Sequence, residues 1–390
     1  MSKKIAYVGD FRFPKGAASS IRVLGIGRIL ADCGYDVSFH GVVSDIEQSG
    51  QASGMFENFY YSNLVLKSGD IMATLYDLVS GGFRSIKLFE SLKPDYIILG
   101  GGYSRYLIPL LRYTRKHNIR LIVDIWEWYD YSHLPGGKFG PLALDTHLAL
   151  TKLIKKSDGV ITISSFLERY YSNANKKVIR IPILINKEES NNQTQPKKTF
   201  DPNYLHLIYA GDPGRKDIID VVIAGLDSLI NEGIKVKVHL VGPSKQSLTK
   251  ILGDKGYLLD KLQDAIVLHG KVAQDKVPDL LASADFSFLI RPDMRYAHAG
   301  FPTKFVESMN AGLPIICNLT SDLGMYVKNG ENGFIMADTS AESFIACVKK
   351  ASQLSEDEKK QMRVHARNVA EQSFDYRIFI EPVKTFFLSL

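Results

Sequence analysis

The chain has 390 residues, 45% of them hydrophobic and 23% charged, with a formal net charge of +6 at pH 7. That length exceeds the size at which one core stops growing, so two domains are expected, and the composition is that of a globular protein rather than a disordered or fibrous one. No apolar run approaches the ~20 residues that span a bilayer, and the mild positive balance permits contact with anionic lipid or phosphate without requiring nucleic acid.

The N-terminal Met1-Ser2-Lys3-Lys4 is too short for a signal peptide and leads into a first strand, Ile5–Val8. A helix over Ser19–Cys33 closed by Gly34 follows, then a strand at Val37–His40. Tyr96–Leu99 is a further strand running into Gly100-Gly101-Gly102. Next come a helix over Leu107–Lys116 and strands at Leu121–Ile125, Gly159–Ile163 and Val178–Ile181. Short β-branched runs alternating with amphipathic helices predict a parallel sheet covered on both faces. Gly25-Ile-Gly27 lies inside a helix, not between strand and helix, which excludes a dinucleotide fingerprint. Residues 186–203 hold almost nothing apolar and read as a linker. Beyond them the alternation restarts with Leu205–Ala210, a helix over Ile218–Asn231, Lys235–Val241, Ala265–His269 and Phe286–Ile290. The three cysteines, Cys33, Cys317 and Cys347, are scattered with no C-x-x-C, which points to a reducing cytosol.

The most informative stretch is 299–316, Ala-Gly-Phe-Pro-Thr-Lys-Phe-Val-Glu-Ser-Met-Asn-Ala-Gly-Leu-Pro-Ile-Ile. Gly300, Phe301 and Pro302 lead tightly into a short helix that stops at Gly312 and Pro314, before a buried strand at Ile315–Cys317. The bare N–H groups of such a first turn can hold an anion. Glu307 lies one turn beyond Thr303 on the same face, where its carboxylate can accept from two adjacent hydroxyls such as a ribose diol. The segment Leu207-Ile-Tyr-Ala-Gly-Asp-Pro-Gly-Arg-Lys-Asp brings a strand into a Gly/Pro loop with two cations, Arg215 and Lys216, a setting suited to a diphosphate or to two solvated charges. In the first half, Gly16 and Ala17 sit in a loop of small residues between strand and helix. The run Asp124 to His133 mixes Glu127, Asp130 and His133 with aromatic rings, which suits a sugar acceptor or a buried aromatic loop. A basic amphipathic stretch over residues 105–120 (Arg105, Arg112, Arg115, Lys116, His117, Arg120) fits either an anionic membrane surface or a solvated helix face.

The 299–316 stretch resembles the donor-sugar motif of family 4 glycosyltransferases, the retaining group with the GT-B fold, like those of bacterial capsule and lipopolysaccharide synthesis. The resemblance runs in order along nearly the whole chain and is strongest from Leu205 to Met336. It implies an α/β protein of two Rossmann-like domains facing each other across a cleft: residues 1–187, with 374–390 packing back on them, a linker at 188–203, and a nucleotide-sugar domain at 204–373. It implies transfer of a sugar, from a UDP-sugar in preference, to a glycan or lipid-linked acceptor with retention of configuration. No cofactor or metal is implied, and the chain would be cytoplasmic, with peripheral contact at the inner membrane surface. Matched residue by residue, Gly211, Val272, Gly300, Phe301, Pro302, Thr303 and Glu307 hold the donor. Lys216 and Arg215 meet the departing diphosphate, and Gly16, Ala17, Asp130 and His133 line the acceptor side, with Glu127 near the family's functional histidine. Two departures stand out. Asp212 replaces the expected arginine, and Ala299 replaces the first of two glutamates eight positions apart, with His298 beside it as a substitute. These departures leave two alternatives: a nucleotide-sugar epimerase of the same architecture, or a nucleotide-sugar-binding module without activity.

Overall fold

The computed structural model describes residues 2–14, 18–43, 52–65, 71–174, 176–190, 200–214 and 216–390. They form two α/β units. The first comprises Met1–Leu184, Ala299–Phe301 and Tyr376–Leu390, and the second comprises Ile185–His298 and Pro302–Asp375.

The first unit contains β1 (Lys4–Gly9), β2 (Asp36–His40), β3 (Val42–Val43), β4 (Ser53–Phe56), β5 (Phe59–Ser62), β6 (Leu64–Val65), β7 (Tyr96–Gly100), β8 (Arg120–Ile125), β9 (Gly159–Thr162) and β10 (Lys177–Arg180). Eight of them form a sheet in the order β10-β9-β8-β7-β1-β2-β5-β4, while β3 pairs with β6 apart from it. Its pairings are parallel except that of β4 with β5. The central strands are apolar almost end to end because helices cover both faces of a parallel sheet. Ile5, Tyr7, Phe39, Ile98, Ile122 and Ile161 pack with Val23, Ile26 and Leu30 of the Ala18–Asp32 helix, and with Val383, Phe386 and Phe387 of the C-terminal helix Ile380–Ser389.

The predicted strands and the first helix fall within a residue or two of their observed ends. Gly34, at φ +88°, closes that helix as its N–H reaches the Ala31 carbonyl and the Tyr35 N–H reaches Leu30. Gly27 serves packing: a Cβ there would lie 2.3 Å from Cζ of Phe39. The β4–β5 hairpin had no expectation attached to it, and its turn is made by Glu57 at φ +52°. The helix expected over Leu107–Lys116 begins a turn earlier and spans Ser104–His117. Asp145 draws the start of that helix in, accepting from the Arg105 N–H at 2.9 Å and from the Ser104 hydroxyl.

Asp124, read from sequence as the first residue of a ligand-facing run, is instead buried in the core. Its carboxylate receives Nη2 of Arg22 at 2.5 Å, Nε of Arg22 at 2.9 Å and the Tyr7 hydroxyl at 2.5 Å. Arg22 and Asp124 side chains are 1% and 0% exposed. Arg22 also donates to the Ile181 carbonyl at 2.7 Å, tying the Ala18–Asp32 helix to β8 and to the chain leaving β10.

The second unit contains β11 (Leu205–Ala210), β12 (Val236–Val241), β13 (Ile266–Gly270), β14 (Phe286–Leu289), β15 (Ile315–Cys317) and β16 (Gly333–Ile335). All are parallel, in the order β13-β12-β11-β14-β15-β16. The order reverses between β11 and β14, and a doubly wound sheet opens a crevice at the carboxyl ends of the strands flanking such a point. Val222, Ile223, Leu226 and Leu229 of the Ile219–Asn231 helix pack on Leu207, Val238, Leu240 and Phe286. Within the expected linker, Lys187–Ser190 forms a short helix grouped with this unit, and residues 191–199 lie outside the described residues.

Asp124→Asn removes the charge opposite a guanidinium that water cannot reach. It should cost the first unit about 3–5 kcal/mol, the range for breaking a buried pair from one side. Denaturant unfolding followed by circular dichroism measures this, and a loss below about 1 kcal/mol would show that the pair is not what holds that helix to the sheet.

Candidate functional site

The carboxyl ends of β11 and β14 bring the buried Asp217 together with Arg291. After β11 the chain turns at Gly211, whose φ of +126° suits a residue without a side chain. A Cβ there would also lie 2.6 Å from Cε of Lys304. Asp212, in the place of the expected arginine, is exposed, and its Oδ1 accepts the Gly214 N–H at 3.0 Å. The Asp-Pro-Gly sequence is therefore a self-bonded turn, which explains the aspartate at that position. The turn folds Lys216 and Asp217 back so that their N–H groups meet the Pro213 carbonyl at 3.1 and 3.2 Å. Arg215 lies outside the described residues.

Asp217 is the centre of the cluster. It is buried, and it accepts from the Tyr209 hydroxyl at 2.5 Å, from Nε of Arg291 at 2.7 Å and from Nζ of Lys304 at 3.0 Å. Burial pushes its carboxyl up, but Arg291, Lys304 and the Tyr209 hydrogen bond outweigh that, and the carboxyl titrates below the ordinary carboxylate value. Lys304 Nζ also sits 4.8 Å from the Tyr209 ring centroid, a cation–π distance. Arg291 is fixed from behind, since its N–H donates to Asn318 at 2.9 Å and its carbonyl accepts from Asn318 at 2.7 Å.

Lys216 faces the same charges. Its ammonium is lowered to about 8 by desolvation first and by Arg291 and Lys304 next, against the pull of Asp217. The loop leaves the side chain exposed, so the like charges are the part of this shift that a solvated ammonium retains. Lys216, Arg291 and Lys304 thus bring three cations to the surroundings of the Asp217 carboxylate.

The Thr303–Asn310 helix supplies the rest. It starts at Pro302, which offers no capping side chain, and the Phe305 N–H closes the first turn on the Pro302 carbonyl at 3.1 Å. Glu307, half-buried one turn after Thr303, borders a water-sized cavity of about 10 Å³ with Tyr209, Ala210, Lys304 and Ser308. Burial raises its carboxyl to about 7, with Lys304 opposing. Gly300 is half-buried and Phe301 buried just ahead of the helix. Ala299 is fully buried, and its carbonyl accepts the Ser164 hydroxyl at 2.7 Å, consistent with the grouping of Ala299–Phe301 in the first unit.

His298 is occupied at both ring nitrogens. The Ser321 N–H donates to Nδ1 at 3.3 Å, which leaves the proton on Nε2 to be donated to Asp293 at 2.5 Å. The imidazole expected to stand in for the glutamate missing at 299 is thus held by Asp293 and Ser321. Val272, just past β13, packs partly buried against Ile208, Val241 and Leu281. Beside it runs a line of three histidines. Nε2 of His206 donates to the Asp201 carbonyl at 2.7 Å, which orients His239 to donate to His206 at 2.8 Å and His269 to donate to His239 at 3.0 Å. Burial lowers His239 to about 3, so the middle ring of the line is neutral, and the line ties the end of β13 to β12 and β11.

In the first unit, Glu127 is half-buried just beyond β8. Asp130 caps a turn, accepting from the Ser132 N–H at 2.9 Å and its hydroxyl at 2.6 Å, and His133 is exposed on that turn. Gly16 and Ala17 lie outside the described residues. Arg105, assigned from sequence to an outward basic face, is instead paired with Asp145 at 2.7 Å and Asp10 at 3.2 Å and stacked 4.1 Å from the Tyr103 ring. Sequence reasoning thus read Arg105 only as part of a basic face and missed its partner Asp10, and it did not single out Asp217, Arg291 and Lys304 in the second unit. Asp10 and Arg291 follow the ends of β1 and β14 within two residues, and that placement was the available signal.

Residues 205–353 match the family model described as Glycosyl transferases group 1. The protein of Escherichia coli (strain K12) named colanic acid biosynthesis glycosyltransferase WcaL is 22% identical over 179 residues, 45% of this chain and 42% of that protein, so the match spans under half the length of this relative. Sucrose-phosphate synthase from Thermosynechococcus elongatus superposes with a TM-score of 0.76 at 14% identity, covering 99% of this chain and 98% of that one. Anabaena HepE, solved with UDP and glucose, gives 0.70 at 16% identity with both chains fully covered. The trehalose-6-phosphate synthase OtsA gives 0.70 at 12% identity, covering 99% and 98%. The fold is GT-B, and the resemblance seen in the 299–316 stretch holds for the sequence of the second half.

Asp217→Asn would leave Arg291 and Lys304 without their shared counter-ion. The second unit should lose roughly 3 kcal/mol, the low end for a buried pair because Lys304 keeps some solvent. Thermal or urea unfolding measures it, and wild-type stability would show that the cations hold their places without the carboxylate.

Proposed function

We propose that this chain is a glycosyltransferase that moves a sugar from a nucleoside-diphosphate donor, a UDP-sugar, to a glycan or lipid-linked acceptor with retention of configuration. The observation that carries the reading is the set of three cations, Lys216, Arg291 and Lys304, around Asp217 at the β11–β14 reversal, one helical turn from Glu307. Its fit to a diphosphate is electrostatic: fixed positive groups that repel one another are relieved by an incoming dianion, and more so as charge grows on the departing phosphate. The first turn at Thr303 adds N–H donors, and Glu307 takes the ribose hydroxyls. The neighbours solved with UDP, UDP-glucose or UDP-2-fluoro glucose support a uridine donor by fold alone.

Lys304 takes the place of the arginine that Asp212 displaces, reaching the same strand end from the helix side. Because ammonium and guanidinium groups supply the countercharge, the reaction needs no divalent ion. The acceptor hydroxyl passes its proton to the departing phosphate, and Glu127, just past β8, orients the acceptor.

The experiment is a thermal-shift panel of nucleotide sugars, followed by UDP release with and without acceptor extracts in EDTA. A donor at 100 times its Kd should stabilise the fold by about 2.7 kcal/mol. Release of UDP that needs acceptor and survives EDTA supports the reading. Interconversion of donor sugars without acceptor would make the protein an epimerase, and binding without any release would make it a binding module.

The two shifted groups predict a pH profile. Glu307 must be charged to accept from ribose and Lys216 must be charged to meet phosphate. The kcat/KM for donor should therefore be bell-shaped, with an acid limb near 7 and an alkaline limb below the ordinary lysine value. Glu307→Gln should abolish the acid limb and weaken donor binding by roughly 1.5 kcal/mol. The same carboxyl has a linkage consequence. Its folded value lies above the ordinary 4.5, so the unliganded fold binds the extra proton between about 4.5 and about 7 and loses stability as pH rises through that window. A profile unchanged in the variant would remove Glu307 from donor binding.

A further inference from the structure

We infer that the line of three histidines in the second unit is an acid-sensitive latch that holds Phe200, and with it the segment leading into β11, against the sheet. His206, His239 and His269 stand on β11, β12 and β13, which are neighbouring parallel strands, and their rings meet in series with nitrogen separations of 2.8 and 3.0 Å. Phe200 lies over the middle ring. Its centroid is 3.9 Å from that of His239 with the planes 14° apart, and 5.0 Å from that of His206. The same side chain packs against the cluster of Ile208, Val241, Leu281 and Leu313. His206 and His239 are buried, while His269, at the outer end of the line, is half-buried. The inference is independent of the sugar-transfer reading.

The bonds fix how many protons the line can hold. The bond to the Asp201 carbonyl takes one, each ring-to-ring bond takes one, and Nδ1 of His269 has room for one more. Three protons leave every ring neutral. A fourth enters at His269 and can pass inward by a shift along the two bonds. A fifth sets two N–H groups against each other and breaks the line. Even the fourth is resisted. Burial lowers both His239 and His269, and the two neighbouring rings and Lys237 lower His239 further. The Phe200 face offers a cation only weak attraction against that loss of water. The surrounding acids are engaged elsewhere. Asp201 turns its carboxylate to the Asn203 N–H at 3.0 Å and side-chain amide at 2.9 Å. Asp285 accepts the His206 backbone N–H at 2.8 Å and lies 3.7 Å from Lys359. Lys237 sits 4.6 Å from the Tyr204 ring centroid, and Lys271, Lys276 and Asp279 follow β13. Among the described residues no carboxylate bonds a ring nitrogen of the line. The unfolded chain takes up protons at the ordinary histidine value of 6.5 that the folded line refuses. The latch is therefore fully stabilising above about 6.5 and is undone as pH falls from there toward about 3. Its opening frees Phe200 and unties the end of β13.

Urea unfolding of the full chain at a series of pH values, beside the variant His239→Gln, tests the inference. Between about pH 8 and about pH 4.5 the His239 ring alone should raise the unfolding equilibrium constant on the order of a hundredfold, given its fall from 6.5 to about 3. Glutamine offers an amide N–H to His206 and an oxygen to His269 without titrating, so the variant should fold at pH 8 and lose most of that hundredfold. Comparing the two chains separates the ring from the carboxylates that both share. Amide exchange over residues 200–206, corrected for its intrinsic pH dependence, should rise at pH 4.5 in the unaltered chain before exchange at Val238–Leu240 does. Equal acid loss in both chains, or exchange at 200–206 that rises only together with Val238–Leu240, would overturn the proposal. Should the variant not fold, nitrogen-15 histidine spectra of the unaltered chain decide alone. His239 neutral with its proton on Nε2 at pH 6 supports the latch, and His239 charged at that pH overturns it.

Discussion

One carboxylate organises the second unit's functional end. Asp217 comes from the loop after β11, Arg291 from the end of β14, Lys304 from the first turn of the Thr303–Asn310 helix and Tyr209 from β11 itself. These elements are far apart in sequence and meet only because a doubly wound sheet brings strand ends and helix starts to one edge. The buried anion makes that meeting stable. Without it, three cations within reach of one another would repel and the loop would open.

The arrangement keeps a surplus. The Asp217 carboxylate holds two cations directly and sits beside a third, Lys216. Without an internal anion such a gathering of cations would be costly to fold. The first unit uses the same chemistry for the opposite purpose. Arg22 and Asp124 are matched one to one, sealed from water and closed by Tyr7, leaving no charge for a ligand. The pair in the core is balanced and sealed, whereas the cluster at the sheet edge gathers several cations at one carboxylate and keeps some solvent contact, and the ratio of charges and their burial separates the two.

Much of the fold was legible from period and punctuation. The apolar runs at 5–8, 205–210 and 315–317, the Gly34 stop and the helix over 218–231 follow from local rules that tertiary context did not override. The misses have physical causes. The β4–β5 hairpin, Ser53–Phe56 and Phe59–Ser62, carries mixed burial and no Gly-bearing turn, so its pattern was too weak to read. The basic stretch at 105–120 looked uniform in sequence, but Arg105 and Arg120 find acids at Asp145 and Asp158, and nothing local announces partners 40 residues away.

The sequence by itself determined two α/β halves, the bare-ended helix at Thr303 with Glu307 one turn on, and the loop that presents Lys216, because each depends on neighbours within a few residues. Tertiary structure alone decided which charges act together. Asp124 looked like a ligand-facing acid and is core. Lys304 looked like a helix surface charge and stands against Gly211 beside Asp217. His298 looked available and is bonded at both nitrogens. The reason is one of range: hydrogen bonds within a turn are written in adjacent residues, whereas the pairing of a buried charge is settled by whichever distant strand end delivers the opposite charge.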